Sequence, residues 1–107
     1  MQNNKIFSLL GLCMKAGKIK SGGFATEEAV KSGKAELVIL ASDSSENTEK
    51  KFKNMCSFYE VPCFLYGTKE ELGRAIGREE RSTVAVCDGG FAGSLKTYLE
   101  EIGTKER

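Results

Sequence analysis

Lys18, Lys20 and Ser21 run directly into Gly22, Gly23 and Phe24 in the stretch KIKSGGFATEEAVKSG. Two cations, a hydroxyl and two residues without side chains stand where a helix-like run opens. The first amides of a helix have no intrahelical acceptor, and the helix dipole adds partial positive charge there. Phosphate is the natural ligand for such a place. Lys15 adds a further cation just upstream, and Phe24 offers a ring on which an unstacked base could lie, a contact worth ~1–3 kcal/mol. A plainer account fits the same residues: the glycines turn the chain and Phe24 enters the core. Locally the two stand level. A second basic group, Arg74, Arg78 and Arg81, brackets the loop GREERST, which ends on Ser82 and Thr83. Spacing alone does not say whether the two groups meet.

Other chemistry finds little support. The chain has no histidine, so a Ser-His or Cys-His nucleophile is absent in its usual form. The carboxylate pairs Glu27/Glu28, Glu70/Glu71, Glu79/Glu80 and Glu100/Glu101 are adjacent in sequence and so do not face each other on a helix; they read as solvated surface. Asp43 and Asp88 follow strand-like runs, where active sites often lie, but each is a natural helix cap. The segment DGGFAG, from Asp88 to Gly93, is a poor match to a nucleotide-binding glycine loop: its glycine pair is adjacent, and too little chain follows for an acidic ribose partner. Cysteines 13, 56, 63 and 87 lack C-x-x-C spacing, which argues against structural zinc and for small buried thiols. No metal or cofactor is expected.

The elements that must position the basic residues belong to one domain. A chain of 107 residues, 40% hydrophobic and 29% charged, is an ordinary globular composition with enough material for a core. A single domain over residues 1–103 is expected, with 104–107 a frayed tail. No apolar run approaches a membrane span and no signal-like segment opens the chain, so a cytoplasmic monomer without membrane contact is the expectation. The net charge is only +1, yet residues 1–40 carry six lysines against three glutamates. A local basic face is compatible with a nearly neutral chain, and the local field is what phosphate would feel.

Ile6, Leu9, Leu10 and Cys13 fall on one helix face, with Asn3 or Asn4 as cap and Gly17 as terminator. A short polar strand at 17–21, placed at an edge, precedes a second helix over 24–32 that Gly33 stops. AELVILA, 35–41, reads as a central strand covered on both faces. Asp43, Ser44 and Ser45 offer caps for a third helix whose inner face is Phe52, Met55, Cys56 and Tyr59, ended by Pro62. CFLY is a brief strand. Thr68 and Glu71 form a capping box for a short fourth helix with Leu72 and Ile76 inward and Gly77 at its end. STVAVCD is the last strand, and Phe91, Leu95 and Leu99 mark a closing helix that stops at Gly103. Alternation of this kind predicts an α/β three-layer sandwich with helices on both faces of the sheet.

The segments SGKAELVILASD, VPCFLYGTKEELGRAIG and TVAVCDGGFA resemble the small ribosomal-protein superfamily of the archaeal kink-turn binder, ribosomal protein L-seven-Ae. NTEKKF, LGRAIGREERSTVAV and GFA are most similar to its bacterial YlxQ-type branch, and the likeness runs from Lys5 to Leu99. The resemblance implies an α/β/α sandwich with a four-stranded mixed sheet. It also implies RNA binding through two neighbouring loops, the start of helix two at Gly22, Gly23 and Phe24, and the segment from Arg78 through Thr83. Kink-turn binders of the superfamily place Asn-Glu, and a Lys three residues on, at the start of helix two; here the positions hold Phe24, Ala25 and Glu28. None of these reads a guanine edge as Asn or Lys would, while the glycine of the motif stays as Gly22. Phosphate contacts position and base contacts specify, so altered or weakened specificity follows.

The leading expectation is a non-catalytic protein that binds structured RNA, kink-turn-like or ribosomal, through Lys15, Lys18, Lys20, Gly22, Gly23, Phe24, Arg78, Arg81, Ser82 and Thr83. The ribosome or the translation machinery would be its setting. The alternative is a protein-interaction module of the same fold with weakened RNA affinity, and a nucleotide-binding enzyme rests on the glycine loops alone.

Overall fold

The computed structural model describes residues 4–102. Helices and strands alternate in the expected order: α1 (Lys5–Lys15), β1 (Ile19–Ser21), α2 (Gly23–Lys31), β2 (Leu37–Leu40), α3 (Glu46–Tyr59), β3 (Cys63–Leu65), α4 (Lys69–Ala75), β4 (Thr83–Val86) and α5 (Gly89–Glu101). The sheet order is β1-β4-β2-β3, with β4 antiparallel to both β1 and β2, and β3 parallel to β2. The short polar strand is therefore an edge. The apolar runs β2 and β4 occupy the middle and are buried at every position.

Alternation along β2 and β4 sends side chains to both faces of the sheet. Leu37, Ile39, Val84 and Val86 join Ile6, Leu10 and Cys13 of α1, Leu72 of α4, and Leu95 and Leu99 of α5. Val38, Leu40 and Ala85 join Ala29 and Val30 of α2, and Phe52 and Cys56 of α3. The result is three helices on one face, two on the other, and the mixed four-stranded sheet between them.

The cap chemistry is largely as the residue types require. Asn4 accepts from Phe7 N, Ser45 from Thr48 N and Asp88 from Phe91 N, and Thr68 with Glu71 completes the reciprocal capping box. Asp43 caps a different helix from the one expected: it accepts from Lys69 N at 2.8 Å and so ties the chain before α3 to the start of α4. Tyr59 does not belong to the inner face of α3, being 41% exposed. It is the last residue of α3, directly before Glu60 turns left-handed at φ 59°, two residues ahead of Pro62. Strand β1 starts at Ile19 rather than Gly17, and α2 runs one residue earlier than read, from Gly23. The alternative cap Asn3, the stop at Gly103 and the tail 104–107 lie outside the described residues.

No disulfide joins the cysteines among the described residues; Cys13, Cys56 and Cys63 are buried and Cys87 is half-buried. Burial first, then the nearby Asp88 and Cys87, push the Cys13 thiol up to about 11 despite Lys18. It is protonated at neutral pH and behaves as a small apolar side chain. No helix among the described residues is long and apolar enough to cross a membrane.

Candidate nucleic-acid interface

Gly22 stands between β1 and α2 at φ 91°, ψ 160°, a conformation open essentially to glycine alone. That geometry lets its amide donate to Thr83 O at 3.1 Å, extending the β1–β4 pairing, while its carbonyl accepts from Thr26 N. The amide of Gly22 is thus already used. Those left open belong to the first turn of α2, at Gly23, Phe24 and Ala25, and no side chain among the described residues caps them. The other four helices all carry a side-chain cap. A Cβ at Gly23 would meet nothing within 4 Å, so neither packing nor an unusual φ requires a glycine there. Phe24 is 82% exposed, which removes the account that placed it in the core.

The loop before β4 closes over this helix start. Arg81 Nε donates to Ser21 Oγ at 3.1 Å, and its Nη1 to Glu80 O at 3.0 Å. The guanidinium is thereby held beside the last residue of β1. Beneath it, Thr83 donates to Thr26 through their hydroxyls at 2.9 Å, both side chains being buried. Thr83 therefore clamps α2 to β4 and does not face outward. Breaking that clamp on one side leaves a buried hydroxyl short of a partner, at about 1–3 kcal/mol. Thr83→Val is expected to lose stability in that range, and Thr26→Val with Thr83→Val less than the sum of the single changes, measured by urea denaturation.

The loop from 77 to 82 is fastened to α4 as well. Arg78 N donates to Gly73 O at 2.8 Å and Arg81 N to Lys69 O at 3.0 Å, while Ala41 N, just past β2, donates to Ser82 O at 2.8 Å. Gly73 makes this seating possible: a Cβ there would lie 1.9 Å from Glu79 O and 2.6 Å from Glu79 C. The requirement escaped the sequence reading, although a glycine inside a short capped helix, where alanine is favoured by about 1 kcal/mol, is its visible trace.

Gly22, Gly23, Phe24, Arg81, Ser82 and Thr83 thus gather at one corner. Arg78 is exposed on the same loop. Lys18 and Lys20 are exposed, but Cys87 N donates to Lys18 O at 2.8 Å, which places Lys18 at the opposite end of β1, three strand residues or about 10 Å from Ser21. Lys15, in the last turn of α1, lies before that same end of the strand. Arg74 points elsewhere and pairs with Glu70 at 2.7 Å. On the outer side of α2, Glu27 bridges Lys31 at 2.7 Å and Lys51 at 3.0 Å. Hydrogen bonds from Lys31 and then Lys51 hold its carboxyl below the usual carboxylate range, so this pair of lysines is already engaged with a carboxylate.

A family model described as the ribosomal protein L7Ae/L30e/S12e/Gadd45 family matches residues 4–96. The "RNA-binding protein YlxQ" of Enterococcus faecium is 41% identical over 96 residues, 90% of this chain and 92% of that protein. The protein of the same name from Bacillus subtilis is 40% identical over 100 residues, 94% of this chain and all of that one. Among solved structures, a protein of unknown function from Bacillus halodurans superposes with TM-score 0.89 at 38% identity, covering 92% of this chain and 99% of its own. The Giardia lamblia 15.5kD RNA binding protein shares the fold, with TM-score 0.77 at 24% identity over 95% of this chain and 93% of its own.

Proposed function

The chain belongs to the ribosomal protein L7Ae/L30e/S12e/Gadd45 family, and from that premise we propose that it is a non-catalytic RNA-binding protein that holds structured RNA at the corner between α2 and the loop before β4. The observation that carries the reading is the uncapped start of α2, with Phe24 exposed beside it and Arg81 hydrogen-bonded to the strand that leads in. Open amides at Gly23, Phe24 and Ala25 suit a phosphate, the guanidinium adds a fixed cation, and the ring of Phe24 supplies a stacking platform. Ser82 lines the rim. The residues at the base-reading positions, Phe24, Ala25 and Glu28, favour readout of shape and backbone over a specific base edge. A kink-turn or a ribosomal RNA segment, met in the cytoplasm beside the translation machinery by a monomer, is the target class this reading selects.

Filter-binding titration against kink-turn RNA and ribosomal RNA fragments tests it. Binding is expected at low salt, weakening with a log–log slope of roughly −3 to −4 for four neutralised phosphates. Flat titrations with both RNAs at low salt would reject the proposal. The loss of Asn-Glu and Lys at the start of helix two favours a second reading, a protein-interaction module, which a pull-down that survives nuclease treatment together with flat RNA titrations would support.

A further inference from the structure

Along β1 and beyond its end away from Gly22, cations from separate segments converge. The bond from Cys87 N to Lys18 O sets Lys18 beside the residue that follows β4. Lys20 pairs with Ala85, and strand alternation puts it on the sheet face shared by Ala85 and Cys87. Glu36 N donates to Val86 O at 2.7 Å, which brings Lys34 to the same end. The Cys87 thiol registers all of them. Burial pushes it up most, Lys20, Lys34 and Lys18 pull it down, and Glu36 opposes them. Lys18, Lys20 and Lys34 are exposed, and none forms an ion pair among the described residues, in contrast to Lys31, Lys51, Lys53 and Arg74.

We propose that Lys18, Lys20 and Lys34 form a second phosphate contact, continuous with the Gly22–Arg81 corner along the exposed edge of β1, which grips the backbone of the duplex flanking the RNA element held at that corner. The proposal rests on the RNA-binding reading above and names what the target must carry: a stem, beside the element bound at the corner. Lys20 adjoins Ser21 and Lys18 stands about 10 Å from it along β1, so a backbone leaving the corner along this edge meets the lysines in succession. Among the described residues the exposed large hydrophobics are Leu12, Phe24, Phe58, Tyr59 and Ile102, none of them in β1 or beside Lys34, so the cluster offers charge, which fits a polyanion backbone better than a protein partner. Lysines on an edge strand also guard it against pairing with another chain. That role explains Lys20, but not Lys34, which lies outside the strand.

Two RNAs test the proposal, sharing one kink-turn element, with the flanking stem either long or trimmed and closed by a loop. Lys34→Gln is expected to weaken binding of the long-stem RNA about three- to tenfold at low salt and to make its log–log salt slope shallower by about 0.9, leaving the trimmed RNA unaffected. Glu36→Gln, which removes a carboxylate that opposes the lysines at Cys87, is expected to tighten the long-stem complex, a gain that misfolding does not produce. If both variants bind both RNAs like the unaltered protein while Arg81→Gln weakens both, the corner stands and the second contact is overturned. If the unaltered protein binds neither RNA, the RNA-binding reading itself falls, and this inference with it.

Discussion

Gly73→Ala is expected to lower the melting temperature by on the order of 10 °C. Helix propensity alone predicts the opposite sign, since alanine is favoured over glycine by about 1 kcal/mol in a helix interior. The steric term outweighs it. The new Cβ would fall 1.9 Å from Glu79 O, 2.6 Å from Glu79 C and 3.0 Å from Arg78 O. All three are backbone atoms, which no rotamer change moves aside. Either the loop lifts from α4, losing the bonds from Arg78 N to Gly73 O and Arg81 N to Lys69 O, or α4 shifts against the core through buried Leu72. Overpacking of this kind costs about 1–3 kcal/mol, and each kcal/mol moves the melting point of a domain this size by roughly 4–8 °C. Gly93→Ala in α5 is the control, because its Cβ would meet nothing within 4 Å and the change should be neutral or slightly stabilising. Thermal unfolding of the two variants decides the matter, and a rise in melting temperature for Gly73→Ala would mean the loop is not seated on α4. Because the same loop carries Arg81, RNA affinity should fall alongside stability.

Phe24→Ala is expected to separate function from stability in the other direction. A ring that is 82% exposed contributes little to folding, and surface changes of this kind fall within about ±0.5 kcal/mol. If the ring stacks on a base, its removal weakens RNA binding by about 1–3 kcal/mol, or roughly 5- to 150-fold. Arg81→Gln should also weaken binding, and should make the salt dependence shallower by about one unit of log–log slope, whereas Phe24→Ala should leave the slope unchanged. Chemical denaturation and RNA titration on the same preparations make the comparison. A large loss of stability in Phe24→Ala with unaltered RNA affinity would return the residue to the core.

Much of the architecture was legible because it depends on local patterning. The apolar run at Leu37–Leu40 and the spacing of Ile6, Leu10 and Cys13 each have one physical solution, and Thr68 with Glu71 announces its own helix start. What escaped depends on tertiary geometry. Tyr59 has the right period for the inner face of α3, but it is the helix's last residue, next to the left-handed turn at Glu60, and its ring stays 41% exposed. Asp43 looked like a cap for the helix that follows it and serves one 26 residues away. The same limit applies to the interface. Gly22, Phe24 and Arg81 were each recognisable as candidates, yet only the antiparallel pairing of β1 with β4 brings Ser21 and Arg81 together while setting Lys18 beside Cys87. Thr83 looked available from its position in the loop, and its hydroxyl is spent on Thr26.

Zero-length ultraviolet crosslinking of the protein to bound kink-turn or ribosomal RNA, followed by mapping of the crosslinked peptides, puts the central idea to its most direct test. The expected result is crosslinks on the segment containing Gly23 and Phe24 and on the segment containing Arg81 and Ser82. Crosslinks confined to the other exposed aromatic pair, Phe58 and Tyr59 at the end of α3, with none at Phe24, would contradict it.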